Sequence, residues 1–198
     1  MTRRLFVSIL TFALMIASPL VAWAGGATDI VKAKQSELFK LLDSKDADAN
    51  KKIAGIFDDM LDYQALAEAS LGSEWSSLKD DQKKEFVDLL KQLVKQAYER
   101  NLRKTLDYNI EYVGEESAGD KAFIVKTVAK HKTDTREDPI SIDYKLVQQS
   151  NGKYKMVDII TEEVSLVSSY RSQFVKILKK DGYAGLSAKM KEKIAKGQ

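Results

Sequence analysis

The chain has one histidine, no cysteine, and 29 acidic against 32 basic side chains, so any chemistry must come from carboxylates, hydroxyls, cations and one imidazole. His131 lies between Lys130 and Lys132 at the end of an alternating segment, just before Thr133-Asp134. That setting predicts a solvent-exposed ring rather than a poised general base. A carboxylate base in an apolar pocket would fall to Asp143 or Asp158, yet both sit at strand positions that fit an outward-facing or salt-bridged acid. The absence of cysteine excludes disulfides, zinc–cysteine sites and a thiol nucleophile. No Gly-rich phosphate loop, H-E-x-x-H or nucleophile elbow is present. Catalytic and metal-ligating residues are therefore expected to be none. Arg171 beside Tyr170 can hold a phosphate through paired hydrogen bonds; it can equally pair with Asp158 or Asp62 and tie the last helix to the sheet. Lys176, Lys179, Lys180, Lys189, Lys191, Lys193 and Lys196 make the tail basic. A solvated helix face is the default for such a run, and salt-dependent attraction to an acidic partner or anionic headgroups is the alternative.

Residues 1–24 read as an address rather than part of the fold. Arg3 and Arg4 form a positive start, Leu5 to Val21 an apolar stretch with Pro19 near its end, and Ala22-Trp23-Ala24 a signal-peptidase site. Cleavage is expected after Ala24, leaving 25–198 as one secreted domain. Only two of the basic residues lie in the leader, so the net charge falls from +3 to +1. That balance gives no reason to expect a nucleic-acid partner. Gly25 stands where a lipoprotein would carry its lipidated cysteine.

The elements that must position these groups follow from periodicity. Ile30, Val31, Ala33, Leu38, Leu41 and Leu42 recur loosely at helical spacing, which predicts a surface helix over 29–42. Ile53, Ile56, Phe57, Met60 and Leu61 mark a second, amphipathic helix. Asp62 is placed to cap a third that stops at Gly72. Ser77 with Asp80 resembles the start of the longest helix, running through Phe86, Leu89, Leu90, Leu93 and Val94 to about Leu106. The period then drops to two. Four antiparallel strands are predicted over 108–115, 121–131, 138–149 and 153–162, with Asn151-Gly152 as a hairpin turn. Helical spacing returns over 166–180 and 185–196, with Gly182 and Gly185 between. Helices, a meander and helices again describe an α+β domain with helices packed on one face of a curved four-stranded antiparallel sheet.

Two blocks carry a resemblance. Leu61-Asp62-Tyr63, Leu71-Gly72, Trp75 and Gln82 form the first; Val164-Ser165-Leu166-Val167 with Tyr170-Arg171-Ser172-Gln173-Phe174 forms the second. Together they resemble the MlaC family, also called toluene-tolerance auxiliary proteins, over about 29–195. The chain departs at Glu68 and Ser76, where the family often has basic residues, and at Ser169, where it often has asparagine. The resemblance implies a fold similar to nuclear transport factor two, with a deep apolar pocket holding phospholipid acyl chains. It implies a periplasmic carrier with no catalysis and no cofactor beyond its phospholipid cargo. The implied partners are an outer-membrane lipoprotein–porin complex and an inner-membrane ABC transporter bearing MCE domains.

Physical chemistry sets the requirement for such a cargo. Roughly 30 methylenes at about 0.8 kcal/mol each make exposure to water cost on the order of 24 kcal/mol, so the chains need enclosure. The expected pocket residues are Phe57, Leu61, Leu66, Trp75, Phe86, Leu90, Leu93 and Val94 from helices, and Ile110, Tyr112, Ile124, Ile142, Tyr144, Met156 and Ile159 from strands. Tyr170 and Arg171 are headgroup or structural candidates. Periodicity leaves open which of them fill an ordinary core. A small-molecule enzyme on the same fold and a non-lipid envelope adaptor stand as alternatives.

Overall fold

The computed structural model describes residues 26–44 and 47–197, the side chains of 98–103 apart. The expected leader and its cleavage site lie outside the described residues. Among the described residues, five α-helices, two 3-10 turns and five strands follow in chain order. Helices α1 (Gly26–Asp43), α2 (Ala49–Met60), α3 (Tyr63–Leu71) and α4 (Asp80–Leu102) precede β1 (Tyr108–Ser117), β2 (Ala122–His131), β3 (Ile140–Gln148), β4 (Tyr154–Thr161) and β5 (Val164–Ser165), and α5 (Leu166–Ala195) closes the chain.

Local chemistry explains the boundaries. Asp62 Oδ1 accepts from the Ala65 amide at 2.9 Å and so starts α3, and Gly72, at φ +56°, ends it. Ser77 does not start α4: its hydroxyl donates to the Glu74 carbonyl inside a 3-10 turn over Gly72–Ser77. The start is instead held by Gln82, whose side chain accepts from the Lys79 amide at 3.0 Å. Beyond Leu102 the chain tightens into a 3-10 turn, so α4 ends sooner than its spacing suggests. The two predicted C-terminal helices run on as one 30-residue element kinked at Gly182, whose φ of 67° and ψ of −178° are not helical. The kink turns the residues after it, 183–195, back, so that Lys193 meets Gln173, and Gly185 completes it, because a Cβ there would come 2.4 Å from Asp181 Cβ.

The sheet is a consecutive antiparallel meander, β1-β2-β3-β4-β5. A fifth strand joins the four expected; it is two residues long, too short to leave an alternating pattern. Register interruptions between Tyr112 and Gly114, and between Lys145 and Leu146, mark bulges, which bend strands and increase their twist. The sheet is curved and open, with the helices packed against it. Cross-strand partners share a face. One face carries the rows Tyr112–Thr127–Ile142–Thr161 and Val125–Tyr144–Ile159. Val125 and Thr127 are buried there, 0 and 1% exposed. The opposite face carries Lys126 paired with Glu116, and Lys130 with Glu111.

The main core lies under α3, α4 and α5. Phe86 and Leu90 are fully buried, with Leu66, Leu93 and Phe174 around them. Phe86 makes edge contacts with Phe174 at 5.5 Å and Trp75 at 6.3 Å, and Tyr170 stacks on Phe174 at 5.1 Å. A smaller cluster joins Ala27 and Val31 of α1 to Val125 and Leu146.

Candidate functional site

Between α1, α2 and the inner face of the sheet lies a cavity of about 260 Å³. Its walls are Val31, Gln35, Leu38 and Phe39 from α1, Phe57 and Met60 from α2, Leu61, Thr105, and Ile142, Tyr144, Met156, Ile159 and Thr161 from β3 and β4. A cleft of about 340 Å³ lies beside it, lined by Val94, Ala97, Ile159, Thr161, Val164, Leu166, Ser169 and Tyr170. Ile159 and Thr161 line both, so the two spaces meet at the end of β4. Each is near the lower end of the roughly 300–1,000 Å³ typical of small-molecule sites. Among the described residues neither lining contains a carboxylate, imidazole or amine.

Why the layers do not close on one another can be read from the polar groups between them. The Tyr112 hydroxyl donates to Gln35 Oε1 across the α1–sheet gap, and Lys32 Nζ lies 4.9 Å from the Tyr112 ring centre. Thr127 Oγ1 donates to the Ile142 carbonyl at 2.5 Å. Burial pushes the Tyr144 phenol up to about 12, while a hydrogen bond from Thr127 works the other way. Desolvation likewise raises Tyr112. Both phenols are therefore neutral at physiological pH and act as fixed hydroxyls on an otherwise apolar surface. The Gln35–Tyr112 pair holds α1 at a set height above the sheet, because closing the gap would break a half-buried hydrogen bond.

The residues expected at a pocket separate into groups. Phe57, Leu61, Ile142, Tyr144, Met156 and Ile159 surround the cavity; Val94 and Tyr170 line the cleft. Leu66, Phe86, Leu90 and Leu93 lie in the closed core, and Trp75 covers its edge with Lys83 5.8 Å from the ring centre. Ile110 is half-buried on the inner face beside Ala129, bordering neither space, and Tyr112 reaches the cavity only through Gln35. Ile124 is a correction: it pairs with Glu116 and Lys145, and so lies on the outer face. Its neighbours Phe123 and Val125 take the inward positions of the pleat.

Arg171 lies away from both spaces. Its Nε donates to the Ala69 carbonyl at 2.8 Å, pinning α5 to the C-terminal end of α3. It pairs with neither Asp62 nor Asp158, since both acids are already occupied as caps. Asp158 accepts from the Ser165 hydroxyl at 2.6 Å and the Val167 amide at 3.1 Å, and Ser165 in turn accepts from the Ser168 amide. The V-S-L-V segment is thus the capped start of α5. Asp143 pairs in register with Lys126 on the outer face. His131 caps the β2–β3 loop, its Nδ1 accepting from the Asp134 amide at 2.8 Å. Much of the basic tail is neutralised locally: Lys179 meets Glu74, Lys189 meets Asp181, Lys191 meets Glu85 and Lys196 meets Glu192.

The wall supplied by α1 went unrecognised in the sequence, where α1 reads as a surface helix. Its signal was the stripe Ala27, Val31, Leu38 and Leu42, all buried, interrupted at the matching position by polar Gln35. A glutamine inside an apolar stripe needs a buried partner, and here that partner is Tyr112.

A helical layer laid over one curved antiparallel sheet, with an apolar space kept open between them, defines the class: a two-layer α+β domain with a cavity at its layer boundary. The chain belongs to the MlaC family, whose profile, described as "MlaC protein", matches residues 27–192. The fold is shared with the phospholipid-binding protein from Ralstonia solanacearum, solved in complex with a phospholipid. The two superpose with a TM-score of 0.73 at 21% identity, over 87% of this chain and 98% of that one. No curated protein matches the sequence. Among the described residues no helix is long and apolar enough to cross a membrane, and no cluster of metal-ligating side chains occurs.

Proposed function

We propose that the protein is a periplasmic phospholipid carrier. Residues 1–24 direct export and are cut off after Ala24, and the single domain over 25–198 carries the lipid. Its acyl chains occupy the cavity and the adjoining cleft, held by Phe57, Leu61, Ile142, Tyr144, Met156 and Ile159 on one side of the junction and by Val94 and Tyr170 on the other. The observation that carries this reading is the pair of apolar spaces joined at Ile159 and Thr161, whose described lining offers no acid or base to a substrate. Family membership and the lipid held by the Ralstonia protein support it. In the cell the carrier exchanges lipid with an outer-membrane lipoprotein–porin complex and with an inner-membrane ABC transporter bearing MCE domains. It sustains outer-membrane lipid asymmetry and catalyses nothing itself.

Native mass spectrometry of the exported protein, purified without detergent, tests the reading directly. About one intact diacyl phospholipid per chain is expected. A clean apo mass that also resists loading from vesicles would sink the carrier and leave the adaptor; turnover of a lipid substrate would favour the enzyme. The partner assignments are tested by transfer of a fluorescent phospholipid from the loaded protein to vesicles carrying the MCE transporter, with vesicles lacking it as the baseline.

A further inference from the structure

Two lysines lie close together in the middle of α1, and only one of them is neutralised. Lys34 Nζ meets Asp59 Oδ2 at 3.1 Å and Glu37 Oε2 at 3.6 Å, which ties α1 to the end of α2. Lys32 is exposed and makes no ion pair among the described residues; its Nζ stands 4.9 Å from the centre of the Tyr112 ring. Glu115, further along the same strand as Tyr112, accepts instead from the Thr28 amide at 2.7 Å and the Thr28 hydroxyl at 2.6 Å. An ammonium over an aromatic face is attracted to it without giving up its hydrogen-bond donors.

The same phenol holds Gln35 through its hydroxyl, which donates to Gln35 Oε1. Desolvation raises the Tyr112 pKa, so the hydroxyl stays protonated and stays a donor. With its oxygen held in this way the amide can turn only one way round. Its Nε2 is the arm left over, and it donates to nothing among the described residues. Gln35 is half-buried in the cavity wall, and no other described lining residue carries a side-chain N–H. Amide N–H groups facing an apolar space without an acceptor are costly, so the occupant of the space has to bring one. Lys32 and Gln35 are three residues apart and share one side of the helix. An ammonium and an amide thus meet on one phenol at the border of the cavity.

We propose that Lys32 and Gln35 hold the polar end of the phospholipid, the Lys32 ammonium meeting its phosphate and the Gln35 amide donating to an ester carbonyl, with the acyl chains running inward from there. The inference rests on the carrier reading given above. Each group suits its target. A phosphate is an anion that lysine binds as a point charge, and it stays near water, where Lys32 is. An ester carbonyl is neutral and only accepts, so it needs a neutral donor in a drier place, where Gln35 is. In a phospholipid a short glycerol joins the two, as the Tyr112 ring joins the two side chains here. The sheet gives the direction. The inner-face row Tyr112–Thr127–Ile142–Thr161 begins at this polar border and ends at Thr161, where cavity and cleft meet. Three strand spacings make that run roughly 14 Å, along walls formed by Tyr144, Met156 and Ile159.

A competition tests both contacts. Delipidated protein is equilibrated with vesicles holding phosphatidylglycerol, its dialkyl ether analogue and diacylglycerol, all with matched chains, and the bound lipids are counted by mass spectrometry once the vesicles are removed. Comparing lipid ratios between variant and parent cancels differences in vesicle escape and in folded fraction. Lys32→Gln should cut the preference for phosphatidylglycerol over diacylglycerol about fivefold and leave the ester-to-ether ratio alone. Gln35→Glu keeps an acceptor for Tyr112 and removes only the donor; it should cut the ester-to-ether ratio about threefold. Gln35→Leu replaces it if Q35E does not fold. An unchanged phosphatidylglycerol-to-diacylglycerol ratio in K32Q overturns the proposal, whatever becomes of the Gln35 variants, and so does an unchanged ester-to-ether ratio in a folded Gln35 variant. Inorganic phosphate that binds the lipid-loaded parent and binds loaded K32Q less would overturn it as well, since Lys32 would then stand free beside a bound lipid. In all three cases the carrier reading survives. A parent protein that takes up none of the three lipids sinks the carrier reading and this one with it.

Discussion

Two regions of this domain use the same kinds of side chain to opposite ends. Under α3, α4 and α5, leucines, valines and phenylalanines pack until Phe86 and Leu90 have no exposure. Under α1 and α2, Phe57, Leu61, Met156 and Ile159 face a space they do not fill. Hydrophobicity does not separate the two regions; the polar groups between the layers do. In the core the helices interlock through the Trp75–Phe86–Phe174–Tyr170 aromatic chain. At the cavity, Gln35 and Tyr112 make a strut with a neutral phenol at its base. A strut sets a minimum separation, and apolar side chains shorter than that separation leave volume behind.

The sharpest way to break this comparison is to damage each side and ask whether the other notices. Phe86→Ala should cost about 3–5 kcal/mol, read as a drop in the urea midpoint, with lipid per folded molecule unchanged. Equal loss of lipid and stability would show that core and cavity are one cooperative unit. Ile159→Trp does the reverse. Placed where both spaces meet, the indole should lower retained phospholipid at least about tenfold, roughly 1.4 kcal/mol. Stability should fall by less than the 1–3 kcal/mol usual for overpacking, because the room already exists. Full retention in a folded I159W protein would move the lipid elsewhere.

The two regions were not equally legible. The closed core could be read because 3, 4 and 7 spacing from Phe86 to Val94 reports burial directly, and the Asp62 and Gly72 signals fixed the ends of α3. The sheet was legible in its alternation, yet alternation assigns faces only where the inward row is kept consistently. Ile124 is expected at the pocket from its apolar character, yet the pleat that turns Val125 inward sends it out. Cavity lining was legible only in part, because a side chain facing empty space and one facing a neighbour are equally apolar. The α1 wall was missed for a different reason: Gln35 breaks its stripe, and the compensating Tyr112 lies 77 residues away in sequence. No local pattern links the two.

Arg171→Ala sharpens the comparison from the core side. Its guanidinium bonds to the Ala69 carbonyl and borders neither apolar space, so its loss should lower stability by about 1 kcal/mol while phospholipid retention stays within error. Reduced retention at unchanged stability would give Arg171 the headgroup role that its position argues against.

The smallest expected effect concerns the turn at the open end. Glu162 and Glu163 are consecutive non-glycine residues at positive φ, 48° and 64°, joining β4 to β5. Thr161 before them and Val164 after them both line the cleft. Left-handed backbone costs an L-residue roughly 1–2 kcal/mol, and glycine gives back part of the relief as unfolded-chain entropy. Glu162 cannot be replaced cleanly, because its carboxylate accepts from the Ser141 amide at 2.5 Å. Glu163→Gly should therefore stabilise the protein by a net of about 0.5 kcal/mol, measurable as a higher thermal midpoint. If the strain is merely local, lipid exchange between protein and vesicles will keep its rate. Slower exchange together with the higher midpoint would instead mean that the cleft opens through this turn, and that the cavity side of the molecule is held ready to move in a way the core side is not.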